Sequence, residues 1–352
     1  MSAWMIYGAN GYTGTLIAEA AVAAGERPLL AGRDGGTVGA LARRLQLEPR
    51  VFPLRGPRPV AAGLEGVDLL LNCAGPFAQT CAPLLEACLR TGAHYLDITG
   101  EIGVFAHCHA QHERARDAGV TVLPGVGFDV VPTDCVALML KQRLPRADTL
   151  VLAIEGEGGL SRGTARTSLQ GLREGGRVRI RGRLQPVPLA WKTRTFERDG
   201  IARTAVTIPW GDLYTAWVST GIPDIETYLA LPPRAIRGMR RMRWLRPLLA
   251  LPPVLRHLDR RIARRVVRGP DAGVRATSRS WVWGEARDAD GGRARLLLQT
   301  PNGYALTASA ALSCVQRVRA QAVAAGYRTP AQRLGAGFVL DLPGVRLLED
   351  TA

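Results

Sequence analysis

The sequence predicts an α/β protein of two domains: a doubly wound parallel sheet, followed by an α+β domain with a mainly antiparallel sheet. Three observations carry this. Short β-rich runs alternate with longer helical ones over the first 130 residues, the pattern of a parallel sheet covered by helices. A glycine-rich heptad directly follows the first β-run and opens a helical one. Beyond about residue 148 the β-runs continue without regular helices between them, which suits antiparallel pairing. The length of 352 residues fits two domains, and 47% hydrophobic against 22% charged residues excludes a disordered or fibrous chain.

Strands are expected at 3–7, 28–31, 50–54, 68–72, 94–98 and 120–123, six being the doubly wound complement. Helices fit at 13–24, 37–45, 83–90 and 101–117, with Gly25, Gly92 and Gly119 where C-terminal caps belong. Another helix, 134–144, starts behind Pro132 and Thr133. The second domain is expected to carry strands at 149–155, 177–184, 192–197, 205–209, 226–231, 276–285 and 293–300, with Asp290, Gly291 and Gly292 as a hairpin turn. A helix at 305–324 and a closing run at 337–345 complete the chain. The expected division is therefore 1–132, 133–325, and a tail of 326–352 packing back on the core.

Composition narrows the function classes. The apolar run 248–255 is far short of the roughly 20 residues of a membrane span, and no charged and apolar leader precedes the first strand. A cytoplasmic protein is expected. The six cysteines, at 73, 81, 88, 108, 135 and 314, contain no CxxC pair and predict reduced, mostly buried thiols. The net charge is +16, and all but two of the 46 basic residues are arginine. Twelve arginines lie between Arg234 and Arg268, against the single acid Asp259.

The heptad is Gly8-Ala9-Asn10-Gly11-Tyr12-Thr13-Gly14. In a dinucleotide-binding Rossmann domain the first glycine permits the tight turn, the second admits the diphosphate to the backbone amides, and the third packs helix on strand. The anion then sits at the positive helix end. Nineteen residues past Gly14, where an NAD enzyme carries an acid, stands Arg33. A guanidinium there can pair with a 2′-phosphate, so NADP is the expected cofactor. The alternative is a solvated Arg33, with Asp34 accepting the ribose.

Several runs match one group. Gly8 to Gly14, Ala31-Gly32-Arg33, Asn72-Cys73-Ala74-Gly75-Pro76-Phe77, Tyr95 to Glu101 and Gly125 to Asp134 resemble the saccharopine dehydrogenase-like oxidoreductases, the family of saccharopine reductase and the trans-acting enoyl reductases. The likeness covers the first 140 residues and, beyond them, Ser161-Arg162-Gly163-Thr164. It implies cofactor contacts through Asn72, Ala74, Gly75, Pro76, Phe77 and Asp97, beside those of Gly8, Asn10, Gly11, Tyr12, Thr13, Gly14 and Arg33. The relatives place a substrate-contacting tyrosine at Tyr95 and a substrate-facing aspartate at Asp129. The run Phe128-Asp129-Val130-Val131-Pro132 departs from the Gly-Asp-Pro-Gly of saccharopine-type enzymes and points to the enoyl-reductase branch. A homodimer through the second domain's sheet is implied by the same resemblance.

Alternation along the fifth strand puts Tyr95, Asp97 and Thr99 on one face. Such a face either lines a cleft or forms a buried network. Hydride transfer requires positioning and a proton, and Tyr95 and Asp129 are the expected catalytic residues. The favoured reading is an NADPH-dependent reductase of an unsaturated apolar acyl or lipid-like substrate, free or carrier-bound. The alternatives are a saccharopine-type carbon–nitrogen oxidoreductase and a non-catalytic NADP-binding protein tethered by its arginines. His107, His109, His112 and Cys108 are read as a polar helix face rather than a metal site, because 107 and 109 point to different sides. The segment from Arg234 to Arg268 is read as a basic amphipathic surface for an acidic carrier or a peripheral membrane contact. No nucleic-acid partner is expected, for want of any nucleic-acid-binding module.

Overall fold

β1 (Ala3–Tyr7) reads Ala-Trp-Met-Ile-Tyr, apolar on both faces, as suits a strand with helices above and below it. In the computed structural model, which describes residues 3–157, 159, 175–249, 269–320 and 324–349, it is followed by α1 (Tyr12–Ala23), β2 (Leu29–Gly32), α2 (Gly35–Leu45), β3 (Pro49–Val51), α3 (Pro57–Gly63), β4 (Val67–Asn72), α4 (Phe77–Thr91), β5 (His94–Asp97), α5 (Ile102–Ala110), α6 (His112–Asp117) and β6 (Thr121–Leu123). Next come α7 (Val131–Arg143), β7 (Thr149–Gly156), β8 (Gly176–Ile180), β9 (Arg183–Val187), β10 (Thr193–Arg198), β11 (Ile201–Thr207), α8 (Asp212–Thr220), β12 (Asp224–Ala230) and α9 (Pro233–Leu249). The described chain closes with α10 (Ala272–Thr277), β13 (Arg279–Arg287), β14 (Arg293–Pro301), α11 (Gly303–Ala320), β15 (Gly326–Tyr327), α12 (Pro330–Leu334), a 3₁₀ turn (Ala336–Asp341) and β16 (Arg346–Glu349).

These elements form two units, Met1–Val131 with Tyr304–Gly335, and Pro132–Gly303 with Ala336–Ala352. The division corrects the one expected from sequence. Helix α11 belongs to the first unit, where Leu306, Ala310, Ala311 and Cys314 are buried. The tail 326–352 is shared: β15 pairs with β6 in the first sheet, whereas β16 pairs with β14 in the second. Strands this short carry no readable alternation, which is why the sequence could not place them.

The first sheet is wholly parallel, in the order β15-β6-β5-β4-β1-β2-β3. That is the doubly wound arrangement, in which strand order reverses beside β1 and ligands are held at the carboxyl ends. The second sheet runs β10-β11-β12-β7-β13-β14-β16, with a β8/β9 hairpin attached to β12. It is antiparallel except for β7 and β12, which pair parallel. The hairpin replaces one strand expected at 177–184. Its turn, Arg181-Gly182, has positive φ at both residues, 50° and 74°, a two-residue hairpin geometry that arginine seldom signals.

The second sheet rolls. Phe196 on β10 stacks on Trp283 of β13 at 5.6 Å, and the Arg198 guanidinium lies 3.6 Å over Trp281. In a flat sheet, strands four places apart would be separated by roughly 19 Å. The curl encloses Val151, Ala153, Ala205, Tyr228, Trp281 and Trp283. The opposite face takes α7, whose Val136 and Leu140 close over Gly284. Helix α9 turns Ile236 and Met239 onto Ala190 and Val206. Arg243 donates to the carbonyls of Leu189 and Ala190, and Arg240 to that of Ala190. The expected arginine face is therefore divided, with Arg234, Arg237 and Arg241 exposed and Arg240 and Arg243 bonded to carbonyls. Residues 250–268, and with them the rest of that segment, lie outside the described residues, as does the run from Ser161 to Thr164.

A Cβ added at Gly284 would lie 2.4 Å from Val136 Cγ1 and 2.6 Å from Leu140 Cδ1. Gly284→Ala is expected to destabilise the protein by about 1–3 kcal/mol, read as a lowered urea midpoint at unchanged slope.

Candidate functional site

The loop after β1 is built by exclusion of side chains. Gly8 has φ +81°, and a Cβ there would lie 2.7 Å from the Ala74 nitrogen. At Gly14 a Cβ would meet the Gly8 carbonyl oxygen at 2.4 Å. Gly11 N donates to Gly8 O at 3.0 Å, and the Thr15 hydroxyl to Ala9 O at 3.0 Å. The first turn of α1 holds no acid, and its N-cap, Gly11, offers no side chain. Asn10 and Gly11 are exposed. The positive end of the helix thus faces outward at a loop packed too tightly against Ala74 and its own backbone to admit a side chain at 8 or 14, which fits a diphosphate.

At the end of β2, Arg33 is exposed. Asp34 instead turns back, its Oδ1 accepting from Thr37 N at 3.0 Å to cap α2. These hydrogen bonds to Thr37 hold its carboxyl below the usual aspartate range. Asn10 Nδ2 donates to Thr37 Oγ1 at 2.9 Å and pins the glycine loop to α2. Arg33 is left as the basic group at the strand end, where the adenosine phosphate of NADP belongs.

The loop after β4 is held from within. Asn72 Oδ1 accepts from Ala74 N at 3.0 Å, and its Nδ2 donates to Thr80 Oγ1 at 3.1 Å and to the Tyr95 hydroxyl at 3.3 Å. The Tyr95 hydroxyl donates to Asp97 Oδ2 at 2.8 Å, while Asp97 Oδ1 accepts from Thr99 N at 3.0 Å and Gly125 N at 2.9 Å. Tyr95 and Asp97 are both fully buried. Burial pushes the Asp97 carboxyl up to about 6, and burial together with the Asp97 charge raises the Tyr95 hydroxyl well above its ordinary value. Two expectations are corrected here. Tyr95 is enclosed and committed to Asp97 rather than offering a proton to a substrate, and Asp97 directs both oxygens to protein donors rather than to a cofactor. The shared face predicted by alternation is real, but it points inward, because both faces of a central parallel strand are covered.

Gly75 and Pro76 form the turn before α4, whose first residue, Phe77, is mostly buried. Glu101 grips that helix start: Oε1 accepts from Phe77 N at 2.9 Å and Oε2 from Ala78 N at 2.8 Å. A carboxylate at a helix N-terminus is stabilised by the dipole. This grip explains why α4 begins at Phe77 rather than at the expected residue 83. Sequence reasoning assigned Glu101 no role, and a cap 24 residues away leaves no local signal.

Asp129 lies on the loop after β6, partly exposed. Burial of its carboxyl raises it to about 6. A Cβ at Gly100 would come within 3.2 Å of Asp129 Oδ2, so the two loops touch. Helix α11 braces this end of the unit from far along the chain. Its Thr307 Oγ1 accepts from Phe128 N at 3.0 Å, and its Tyr304 ring meets Tyr12 edge-on at 5.0 Å. The sequence offered no cue to Thr307 or Tyr304.

The histidines divide among structural tasks. His112 Nδ1 accepts from Tyr327 N at 3.1 Å, and His109 stacks on the Tyr327 ring at 4.7 Å. Among the described residues one group of metal-ligand types converges, Cys81, Asp97 and Cys108, with ligand atoms within 4.8 Å. The Asp97 oxygens already accept three hydrogen bonds, and burial raises the Cys108 thiol.

Residues 4–123 match the family model of the saccharopine dehydrogenase NADP binding domain. The amino-terminal sheet is therefore an NADP-binding domain of the saccharopine dehydrogenase type. A trans-acting enoyl reductase of Mycobacterium tuberculosis is 29% identical over 147 residues, 40% of this chain and 35% of that protein. The Mycobacterium leprae enzyme of the same name is 30% identical over 148 residues, with the same coverage. The match thus spans little more than a third of those relatives' length. Apo saccharopine dehydrogenase (L-Glu forming) from Saccharomyces cerevisiae superposes over 100% of both chains with a TM-score of 0.65 at 13% identity. That likeness establishes the fold: a parallel dinucleotide-binding sheet followed by a domain on a mixed sheet.

The raised Asp129 carboxyl makes stability depend on pH. Its folded value, about 6, lies above the ordinary 3.8, so the folded state keeps its proton longer than the unfolded chain as pH rises between those values, and stability falls across that window. Asp129→Asn removes this loss. The variant is expected to gain on the wild type by about 1–3 kcal/mol between pH 4 and pH 6.5, measured by urea unfolding at each pH.

Proposed function

We propose that this protein is an NADPH-dependent oxidoreductase that reduces an unsaturated, apolar acyl or lipid-like substrate, with Asp129 as the proton source. The observation that carries the cofactor reading is the side-chain-free cradle at Gly8, Gly11 and Gly14, with exposed Arg33 at the end of the next strand. The acyl substrate class rests on the matched relatives named trans-acting enoyl reductases.

The division of labour follows from the residues. Backbone amides at the start of α1 hold the diphosphate, and the Arg33 guanidinium pairs with the 2′-phosphate. Asn72 fixes the Ala74-Gly75-Pro76 turn, which with Phe77 forms the wall at the carboxyl end of β4. NADPH held there would supply the hydride for one carbon of a conjugated double bond. Asp129, raised to about 6, is half protonated near pH 6 and still carries the proton in a minority of molecules at neutral pH, and it delivers that proton to the neighbouring carbon, where a pKa near the working pH favours transfer. Thr307 holds the backbone beside Asp129 and sets its direction.

Loss of NADPH absorbance with a crotonyl thioester as probe, followed by mass analysis of the product, tests this reading. A saturated thioester supports it. Turnover only with a keto acid and an amine would move the protein to carbon–nitrogen chemistry, and no turnover with either would leave a binding protein. Arg33→Ala is expected to raise the KM for NADPH by about 10- to 100-fold while leaving that for NADH nearly unchanged. Gly8→Ala, which cannot fit beside Ala74, is expected to abolish binding of both in calorimetric titration.

A further inference from the structure

The hairpin of β13 and β14 carries an arrangement that strand pairing alone disfavours. Its register sets Arg287 opposite Arg293 and Glu285 opposite Arg295. Residues two apart on a strand share a face, so these four side chains form one block of three guanidiniums and one carboxylate. Arg194 from β10 adds a fourth guanidinium, its Nη1 3.6 Å from Glu285 Oε1.

Glu285 is saturated by this company. Arg287 Nε and Nη2 each reach Oε1 at 2.7 Å. Arg293 Nε and Arg295 Nε each reach Oε2 at 2.8 Å, and Arg293 Nη2 also bonds to Oε2. Five N–H groups thus meet a carboxylate with about four lone-pair sites. The carboxylate neutralises one of four positive charges. It is also the deepest member, with its side chain 10% exposed against 49% for Arg287 and 40% for Arg293. Like charges directly opposite destabilise an antiparallel pair. Here Arg287 and Arg293 face each other at the surface, oriented by a buried anion beneath them.

We propose that this block is a binding site for a tetrahedral dianion, either inorganic phosphate or a phosphate monoester. Glu285 takes the Nε/Nη2 edges of Arg287 and Arg293, so the Nη1 N–H groups on the outer side of the two guanidiniums are those that reach two oxygens of such a group, and a second anion above Glu285 relieves the repulsion that the first leaves. The site lies wholly within the second unit and does not depend on the redox reading.

The test is calorimetric and thermal titration of the full chain with sodium phosphate, against sodium chloride at matched ionic strength. Saturable phosphate binding beyond the chloride response is expected, weakened at least tenfold in the double variant R287Q/R293Q and unchanged in Arg234→Gln, a change at an exposed arginine outside both proposed sites. Glu285→Gln removes the competing negative charge and is expected to tighten phosphate severalfold. Sedimentation with phosphatidate vesicles against phosphatidylcholine vesicles separates the sources: pelleting lost in R287Q/R293Q assigns a lipid headgroup, and no pelleting beside saturable phosphate binding assigns a soluble phosphate. Absence of any phosphate response beyond chloride, or a response lost in Arg33→Ala and kept in R287Q/R293Q, overturns the proposal.

Discussion

A single buried carboxylate ties together the carboxyl ends of three parallel strands. Asp97, at the end of β5, reaches the Thr99 turn, the Gly125 loop after β6 and, through the Tyr95 hydroxyl and Asn72, the Ala74 turn after β4. Ala74 in turn lies against Gly8, where no side chain fits. Burying a carboxylate costs several kcal/mol unless donors surround it, and this one has three. Loops carrying a cofactor cradle would otherwise be the softest parts of such a domain. Here they share one anchor, so their spacing is set by a network rather than by loop sequence.

What could be read from the sequence follows how local its physical cause is. The turn at Gly8 and Gly14 was legible because the positive φ at Gly8 and the approach of Gly14 to the Gly8 carbonyl lie within seven residues. Arg33 was legible because strand and loop length fix its distance from that turn. The inward direction of Tyr95 and Asp97 was not, since alternation tells which residues share a face but not what covers it. The start of α4 was misplaced because Glu101, its cap, comes from the next loop. Helix α8, nine residues between strands, was missed, and the brace from Thr307 and Tyr304 was beyond any window-based reading.

The arginine-rich composition is also less a surface property than the net charge suggests. Arg179 is buried, donating to the carbonyls of Leu213 and Gly182 and lying 4.2 Å over the Trp217 ring. Arg198 is buried over Trp281, with Glu155 Oε2 at 3.5 Å. A flat, weakly hydrated cation packs on aromatic faces better than an ammonium does. The second unit thus uses guanidiniums as partners for aromatic rings and carbonyls, which is why counting charges along the chain overstated a single basic face on α9.

The two-residue strand β15 has a consequence for synthesis on the ribosome. The parallel sheet is completed only by Gly326 and Tyr327, about 200 residues after β6 is made. Until they emerge, β6 offers unpaired backbone groups along an open edge, a template for wrong pairing. The nascent amino-terminal third therefore waits, unfinished, while about 200 further residues are made, and a chaperone that shields such an edge would raise the yield of native chains.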